Sequence, residues 1–106
     1  MRKHYRILFI DDSIFEYKEL HQSLSGYEVL WVPHISYVTE WGVEWFPPVD
    51  MVVSDWGGVS NNLLKDLESI NHARILITSG EPRKTPGFEF CLKKDLAIYI
   101  KQRLRG

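Results

Sequence analysis

The stretch Ile7-Leu8-Phe9-Ile10-Asp11-Asp12-Ser13 decides how this sequence is interpreted, because four consecutive apolar residues end abruptly in two carboxylates and a hydroxyl. An unbroken apolar run of this kind is typical of a β-strand buried on both faces, as in a parallel sheet. Asp12 or Ser13 can then cap a helix, because their side-chain oxygens accept hydrogen bonds from N–H groups of the first turn. The stretch therefore predicts a buried strand followed directly by a helix.

The alternation of strand and helix patterns continues along the chain. Apolar runs bounded by turn residues predict further strands at 27–32, 49–55, 74–78 and 88–92. Helical spacing of apolar residues between cap and stop signals predicts helices from a cap at Asp12 or Ser13 to Leu24 and at 36–46, 61–70 and 95–105. Right-handed crossovers between such units produce a doubly wound parallel sheet with helices on both faces.

The bulk composition restricts the class of protein. A length of 106 residues fits one domain, and 44% hydrophobic with 25% charged residues is ordinary for a soluble globular domain. A formal net charge of −1 gives no general attraction to nucleic acid or to an anionic membrane. The apolar runs are far shorter than the roughly 20 residues of a membrane helix, and the single cysteine, Cys91, excludes an internal disulfide. We therefore expect a cytoplasmic protein that binds neither nucleic acid nor membrane.

Chemically active side chains follow the predicted strands, at the point where each strand ends. Asp11 and Asp12 follow the first strand, Asp55 ends the third, Ser79 follows the fourth and Lys93 follows the fifth. Because ligand sites of open α/β sheets lie outside the carboxyl ends of the strands, we expect these residues along one edge. Crowded carboxylates favour a hard divalent cation such as Mg²⁺. A carboxylate can also attack phosphorus, while an ammonium and a hydroxyl can bind the phosphoryl oxygens.

Each of these residues also has an ordinary structural explanation. The two adjacent aspartates can form a turn and a helix cap, Asp55 can end a strand, Ser79-Gly80 is a common turn pair, and Lys93 can be a solvated lysine before a helix. Their joint occurrence at successive strand ends favours the functional interpretation. The sequence contains no G-x-G-x-x-G fingerprint and no nucleophile elbow, and its four histidines lack the spacing of metal ligands.

Taken in order, the strand-end segments resemble the receiver domain of two-component response regulators. The segments that carry the resemblance are 7–13, 49–55, 75–80 and 90–93. It extends from about Arg6 to Arg105 and implies one receiver domain over residues 1–106. The implied fold is a flavodoxin-like α/β fold, with a five-stranded parallel sheet in the order 2-1-3-4-5.

The resemblance implies that Asp55 is the phosphoacceptor. Asp12 and Asp55 would bind Mg²⁺ directly, with the backbone carbonyl of Gly57 as a third protein ligand. Asp11 would act mainly through a metal-bound water. Mg²⁺ is the only cofactor that we expect.

The resemblance also implies residues that hold and sense the phosphoryl group. Ser79 and Lys93 would bind its oxygens. On activation, the Ser79 hydroxyl would move toward the group and Phe90, the aromatic residue of the fifth strand, would turn inward. The family usually has a proline after this lysine, whereas this chain has Lys94, and the register favours Lys93 as the lysine that reaches the site.

The connection between the fourth and fifth strands departs from the family pattern. The family has a helix there, but segment 81–87 contains Pro82, Pro86 and Gly87, which do not make a helix in so short a segment. We predict that this fourth helix is missing or reduced to one turn. Apolar residues of the two strands would then form an open patch, and such patches usually mark partner sites. We hypothesise that this face binds a downstream protein, which the sequence does not identify, or forms a homodimer.

The expected function is that of a stand-alone response regulator or phosphate carrier. A sensor histidine kinase or a histidine phosphotransfer protein would donate the phosphoryl group, and no output domain is expected. The protein would be a signalling switch, with at most self-catalysed phosphoryl transfer and autodephosphorylation, and not an enzyme. One alternative is a degenerate pseudo-receiver that binds proteins without being phosphorylated. A Mg²⁺-dependent phosphatase is less favoured, because those enzymes usually carry their paired carboxylates two residues apart, whereas Asp11 and Asp12 are adjacent.

Overall fold

The structure is a computed structural model that describes residues 4–34, 48–57, 74–85 and 87–104. Within these ranges the strands are β1 (Arg6–Ile10), β2 (Glu28–Val32), β3 (Met51–Asp55), β4 (Arg74–Ser79) and β5 (Glu89–Leu92). The described helices are α1 (Ile14–Ser23) and α2 (Leu96–Arg103), and a 3-10 turn at Lys93–Asp95 precedes α2. The helices predicted at 36–46 and 61–70 lie outside the described residues.

The five strands form one parallel sheet in the order β2-β1-β3-β4-β5. This confirms the predicted fold class and strand order. Phe9 in β1 lies between Trp31 of β2 on one side and Val53 of β3 on the other. The next strand in the chain, β2, therefore pairs with one edge of β1, and the strand after it, β3, pairs with the other edge. Such a reversal of strand order opens a crevice at the carboxyl ends of the two strands.

The two faces of the sheet belong to two apolar clusters, because successive side chains of a strand point to opposite faces. The cluster between the sheet and the helices α1 and α2 contains Ile7, Phe9, Leu20, Leu24, Val29, Met51, Val53, Leu76, Cys91, Leu96, Ile100 and Leu104. The opposite face contains Leu8, Ile10, Val32, Val49, Val52, Ile75 and Ile77, with Leu30, Phe88 and Phe90 packed against them. β1 and β3 thus have side chains in both clusters, so these two strands are packed on both faces.

The start of α1 follows from its cap. Ser13 has an extended backbone, and its Oγ accepts a hydrogen bond from the N–H of Glu16 at 3.4 Å. Ser13 is therefore the N-cap rather than Asp12. Since Asp11 and Asp12 precede the cap, they lie in the short turn between β1 and α1, at the opening of the crevice.

The connection between β4 and β5 contains no helix in its described residues, 80–85 and 87–88. This confirms the predicted loss of the fourth helix. The apolar patch expected beside it is less open than the sequence suggested. Ile75 and Ile77 are buried, and Phe88 and Phe90 are half-buried against them. This face therefore gives no support to the homodimer, which stays a prediction.

The described helices include none that is long and apolar enough to cross a membrane. The last predicted helix begins later than expected. The sequence placed its start at Asp95, but residues 93–95 form the 3-10 turn and the α-helix begins at Leu96. Arg105, at its predicted end, lies outside the described residues.

Candidate functional site

Four of the predicted site residues stand at or next to the ends of four strands. Asp11 directly follows β1, Asp55 is the last residue of β3, Ser79 is the last residue of β4, and Lys93 directly follows β5. Because all the strands are parallel, these ends lie along the same edge of the sheet.

Hydrogen bonds between neighbouring strands hold the two carboxylate-bearing ends in place. The backbone N–H of Asp11 donates to the carbonyl of Val32 at 3.2 Å, and the carbonyl of Asp11 accepts from the indole N–H of Trp31 at 2.8 Å. The N–H of Trp56 donates to the carbonyl of Thr78 at 2.8 Å, so that the chain just after Asp55 is tied to β4. Both carboxylates are therefore carried by backbone that the sheet fixes.

Lys93 joins the two carboxylates. Its Nζ lies 3.1 Å from Oδ1 of Asp55 and 3.3 Å from Oδ2 of Asp11. We call these three residues the carboxylate–lysine cluster. Lys94, the other lysine of the joint, is exposed. The lysine beside the two carboxylates is thus Lys93, the one that the register of the sequence favours.

Asp11 is the most deeply buried member of the cluster, since its side chain is 1% exposed. Its Oδ1 accepts a hydrogen bond from the N–H of Ser13 at 2.9 Å. Its Oδ2 is buried, has no hydrogen-bond partner and lies 3.3 Å from the Lys93 ammonium. Burial raises the pKa of Asp11, and the nearby charge of Asp55 adds to this, while the Ser13 N–H and the Lys93 charge oppose it.

The Lys93 ammonium is held in its charged form by its neighbours. Burial by itself would lower the pKa of this group, but the hydrogen bond to Asp55 and the negative charges of Asp11, Asp55 and Glu16 together raise it above its usual value. The site therefore contains a permanent positive charge beside the predicted phosphoacceptor.

The predicted metal ligands are only partly brought together. Asp12 is exposed, and in the described part of the chain no group of three or more histidine, cysteine or acidic residues is arranged to hold a metal ion. Asp11 and Asp55, by contrast, meet at Lys93. A β-carbon added to Gly57 would lie 3.7 Å from Oδ2 of Asp55, which places the backbone of Gly57 next to the same carboxylate.

These donors fit a hard divalent cation. Mg²⁺ is usually bound by one or two carboxylates together with waters. Asp11 and Asp55 both lie within 3.3 Å of the Lys93 ammonium, and one oxygen, Oδ2 of Asp11, is buried without a hydrogen bond. An oxygen of this kind gains by contact with a cation.

The two residues predicted to sense a phosphoryl group lie on β4 and β5, Ser79 at the carboxyl end of β4 and Phe90 opposite Ile77. Ser79 is buried, and its Oγ accepts a hydrogen bond from the N–H of Glu81 at 3.2 Å. Its own hydroxyl proton is therefore available to a further acceptor. Phe90 is half-buried and packs against the apolar cluster that contains Ile77, its neighbour in the sheet.

Two features of this edge were not predicted. One is Glu16, whose Oε1 lies 3.9 Å from Nζ of Lys93. The spacing Ser13-x-x-Glu16, which is a capping-box pattern, could have placed it in the first turn of α1 beside the site. The other is a contact of Trp56, which is 45% exposed, with the guanidinium of Arg83, whose carbon lies 4.2 Å from the ring centre. No local pattern relates these two residues.

The comparisons with known proteins agree with this fold. No protein-family model and no curated protein matches the sequence. Among solved structures, the receiver domain of the hybrid histidine kinase CckA is 27% identical, with a TM-score of 0.71 over 94% of this chain and 99% of that one. A CheY-like receiver domain protein from Methanospirillum hungatei JF-1 is 18% identical, with a TM-score of 0.76 over 96% of this chain and 94% of that one.

A response regulator from Thermotoga maritima gives a similar result, with 17% identity and a TM-score of 0.76 over 96% of this chain and 95% of that one. Each match covers nearly the whole of both chains. The chain therefore has the fold of a response-regulator receiver domain over nearly its full length.

Proposed function

We propose that this chain is a phosphoryl-accepting signalling domain in which Asp55 is the acceptor. The observation that carries the proposal is the carboxylate–lysine cluster, in which one ammonium lies 3.1 Å from Asp55 and 3.3 Å from Asp11 at the carboxyl edge of the sheet. The receiver-domain fold supports it. The donor would be a sensor histidine kinase or a histidine phosphotransfer protein, and the protein would act as a switch rather than as an enzyme.

The chemistry needs one exposed nucleophile and fixed positive charge. The side chain of Asp55 is 24% exposed, whereas that of Asp11 is 1% exposed, so Asp55 is the one of these two carboxylates that a donor can reach. An oxygen of Asp55 attacks phosphorus and forms the new O–P bond. The donor's P–N bond, in a phosphohistidine, or P–O bond, in acetyl phosphate, breaks, and its electron pair leaves with the imidazole or the acetate.

The other residues have separate tasks. Lys93 would pair with one phosphoryl oxygen through its positive charge, and the Ser79 hydroxyl would donate a hydrogen bond to another. Mg²⁺ would be held by Asp11, Asp12, Asp55 and the carbonyl of Gly57, and when bound it supplies positive charge that offsets the repulsion between the carboxylates and the incoming group.

The experiment is intact-mass measurement after incubation with acetyl phosphate and Mg²⁺. We expect an added mass of one phosphoryl group in the wild type, and no addition in Asp55→Asn or when EDTA is present. Hydroxylamine should remove the group, because it cleaves an acyl phosphate and leaves a phosphoester on serine or threonine intact. An adduct that persists in Asp55→Asn would show that another residue is the acceptor.

The pseudo-receiver remains the alternative. The connection between β4 and β5 favours it, since its described residues contain no helix and so depart from the family pattern. The same experiment distinguishes the two. No adduct in the wild type, together with tryptophan fluorescence that does not respond to beryllofluoride and Mg²⁺, would support a protein-binding module that is not phosphorylated.

A further inference from the structure

Glu16 brings a third carboxylate to the ammonium of Lys93. Its Oε1 lies 3.9 Å from Nζ, beyond the distances of 3.1 and 3.3 Å to Asp55 and Asp11. Its side chain is also the most exposed of the three, at 37%. Glu16 stands in the first turn of α1, on the side of Lys93 that opens into a groove between α1 and α2.

The reason why Glu16 turns toward Lys93 lies in the cap of α1. In a capping box, the glutamate at the third helical position folds back and accepts a hydrogen bond from the N–H of the N-cap residue. Here the N–H of Ser13 already donates to Oδ1 of Asp11 at 2.9 Å, while the Ser13 hydroxyl accepts from the N–H of Glu16. Asp11 thus takes the place that the Glu16 carboxylate would have in the box, and that carboxylate interacts with Lys93 instead.

The charges in this group do not balance. Three carboxylates, of Asp11, Asp55 and Glu16, surround the single ammonium of Lys93. Glu16 therefore competes with Asp55 for the same cation, and it adds negative charge close to the position where a phosphoryl group would arrive. Both effects oppose the transfer of an anionic group to Asp55.

We propose that Glu16 is a positioning residue of the Asp55 site, which draws the Lys93 ammonium toward α1 and thereby slows phosphorylation of Asp55. The effect on rate rests on the proposed function, whereas the Glu16–Lys93 interaction itself does not. The two parts can therefore be tested separately.

The first test measures the rate of phosphorylation by acetyl phosphate in Glu16→Gln, extrapolated to saturating Mg²⁺ for each variant. The expected result is acceleration by about twofold to fivefold, the range that a partly exposed ion pair can supply. The acceleration should shrink as salt is added, because the interaction is electrostatic. A residue that only stabilises the fold would not speed the reaction when it is removed.

Glu19→Gln is the matched control. Glu19 lies in the next turn of α1 and lines the same groove with Lys93 and Lys94, and the same charge is removed. The Glu19→Gln variant should be phosphorylated at the wild-type rate. An unchanged or slower rate in Glu16→Gln, or an equal acceleration in both variants, would overturn the proposal.

The second test does not involve phosphorylation. A double-mutant cycle of Glu16→Gln and Lys93→Met, followed by urea unfolding, should give a combined loss in midpoint smaller than the sum of the single losses. The corresponding cycle with Glu19→Gln should be additive, and additivity in the Glu16 cycle would contradict the proposal. If Lys93→Met does not fold, Lys93→Gln replaces it. If the wild type is never phosphorylated, the proposed function is refuted. The double-mutant cycle then tests only whether Glu16 interacts with Lys93.

Discussion

The carboxylate–lysine cluster and the start of the connection between β4 and β5 lie at the carboxyl edge of the sheet but are built in different ways. The cluster stands on strand ends, and its carboxylates are fixed by backbone hydrogen bonds to neighbouring strands. The connection leaves this edge after β4 and enters β5 at the opposite edge, and near its start it makes exposed contacts between Glu81, Arg83 and Trp56. The comparison indicates that hydrogen bonds of the sheet and ion pairs to Lys93 hold the site, whereas the described residues of the connection make exposed contacts.

The strongest test of this difference is Lys93→Met. Without the ammonium, Asp11 and Asp55 lose the positive charge that they share, and a phosphoryl oxygen loses its partner. We expect the rate of phosphorylation by acetyl phosphate to fall by about 100-fold or more, as when a single charge-stabilising donor is removed from a catalytic site. Lys94→Met, at the exposed neighbouring lysine, should change the rate little. Equal losses in the two variants would mean that the observed position of Lys93 does not decide the reaction.

The pH dependence of stability tests the burial of Asp11. Burial raises its pKa above the ordinary value of 3.8, so the folded protein binds this proton more tightly than the unfolded chain does. The contribution of Asp11 to the free energy of unfolding therefore decreases as the pH rises from the ordinary value through the raised one, by at most about 1.4 kcal/mol per pH unit.

The measurement compares urea unfolding of the wild type and of Asp11→Asn in EDTA, from acidic to neutral pH. We expect the stability of the variant relative to the wild type to increase over that range. A relative stability that falls as the pH rises would show that Lys93 and the Ser13 N–H outweigh burial.

The smallest effect is expected in the connection between β4 and β5. Arg83→Ala removes the stacking on Trp56, and an exposed interaction of this type contributes about 0.5–1 kcal/mol. We expect a loss of stability no larger than this, more quenching of Trp56 by acrylamide, and little change in the rate of phosphorylation. Lys84→Ala, at an exposed neighbour, serves as the control, and Trp56→Phe identifies the signal of that tryptophan. A large loss of phosphorylation in Arg83→Ala would mean that the connection belongs to the site.

Much of the fold could be predicted because its signals are local. The apolar run of β1, the carboxylates that end β1 and β3, and the serine cap of α1 all act within a few residues. The prolines in the sequence between β4 and β5 likewise predicted the absence of a helix, which the described residues of that connection confirm. The start of α2 was placed too early, because a 3-10 turn and an α-helix have similar local preferences.

The site was predicted less completely because its geometry depends on distances between strands. Asp12 follows Asp11 directly and has the same chemistry, yet Asp12 is exposed while Asp11 is buried. In a capping box the Glu16 carboxylate would accept from the N–H of Ser13. That N–H donates to Asp11 instead, and the Glu16 carboxylate lies near Lys93. The contact of Trp56 with Arg83 joins two loops that follow different strands. None of these relations has a signal within a short stretch of sequence.

By itself, then, the sequence determined the parallel sheet, its strand order through the family resemblance, and the residue types at each strand end. It could do so because hydrophobic periodicity, caps and prolines act over a few residues along the chain. Only the tertiary structure decided that a single ammonium lies between Asp11, Asp55 and Glu16, that Asp12 faces solvent, and that the shortened connection contacts Trp56. The physical reason is that charge, burial and hydrogen bonding depend on positions in space, which residues distant in the sequence set together.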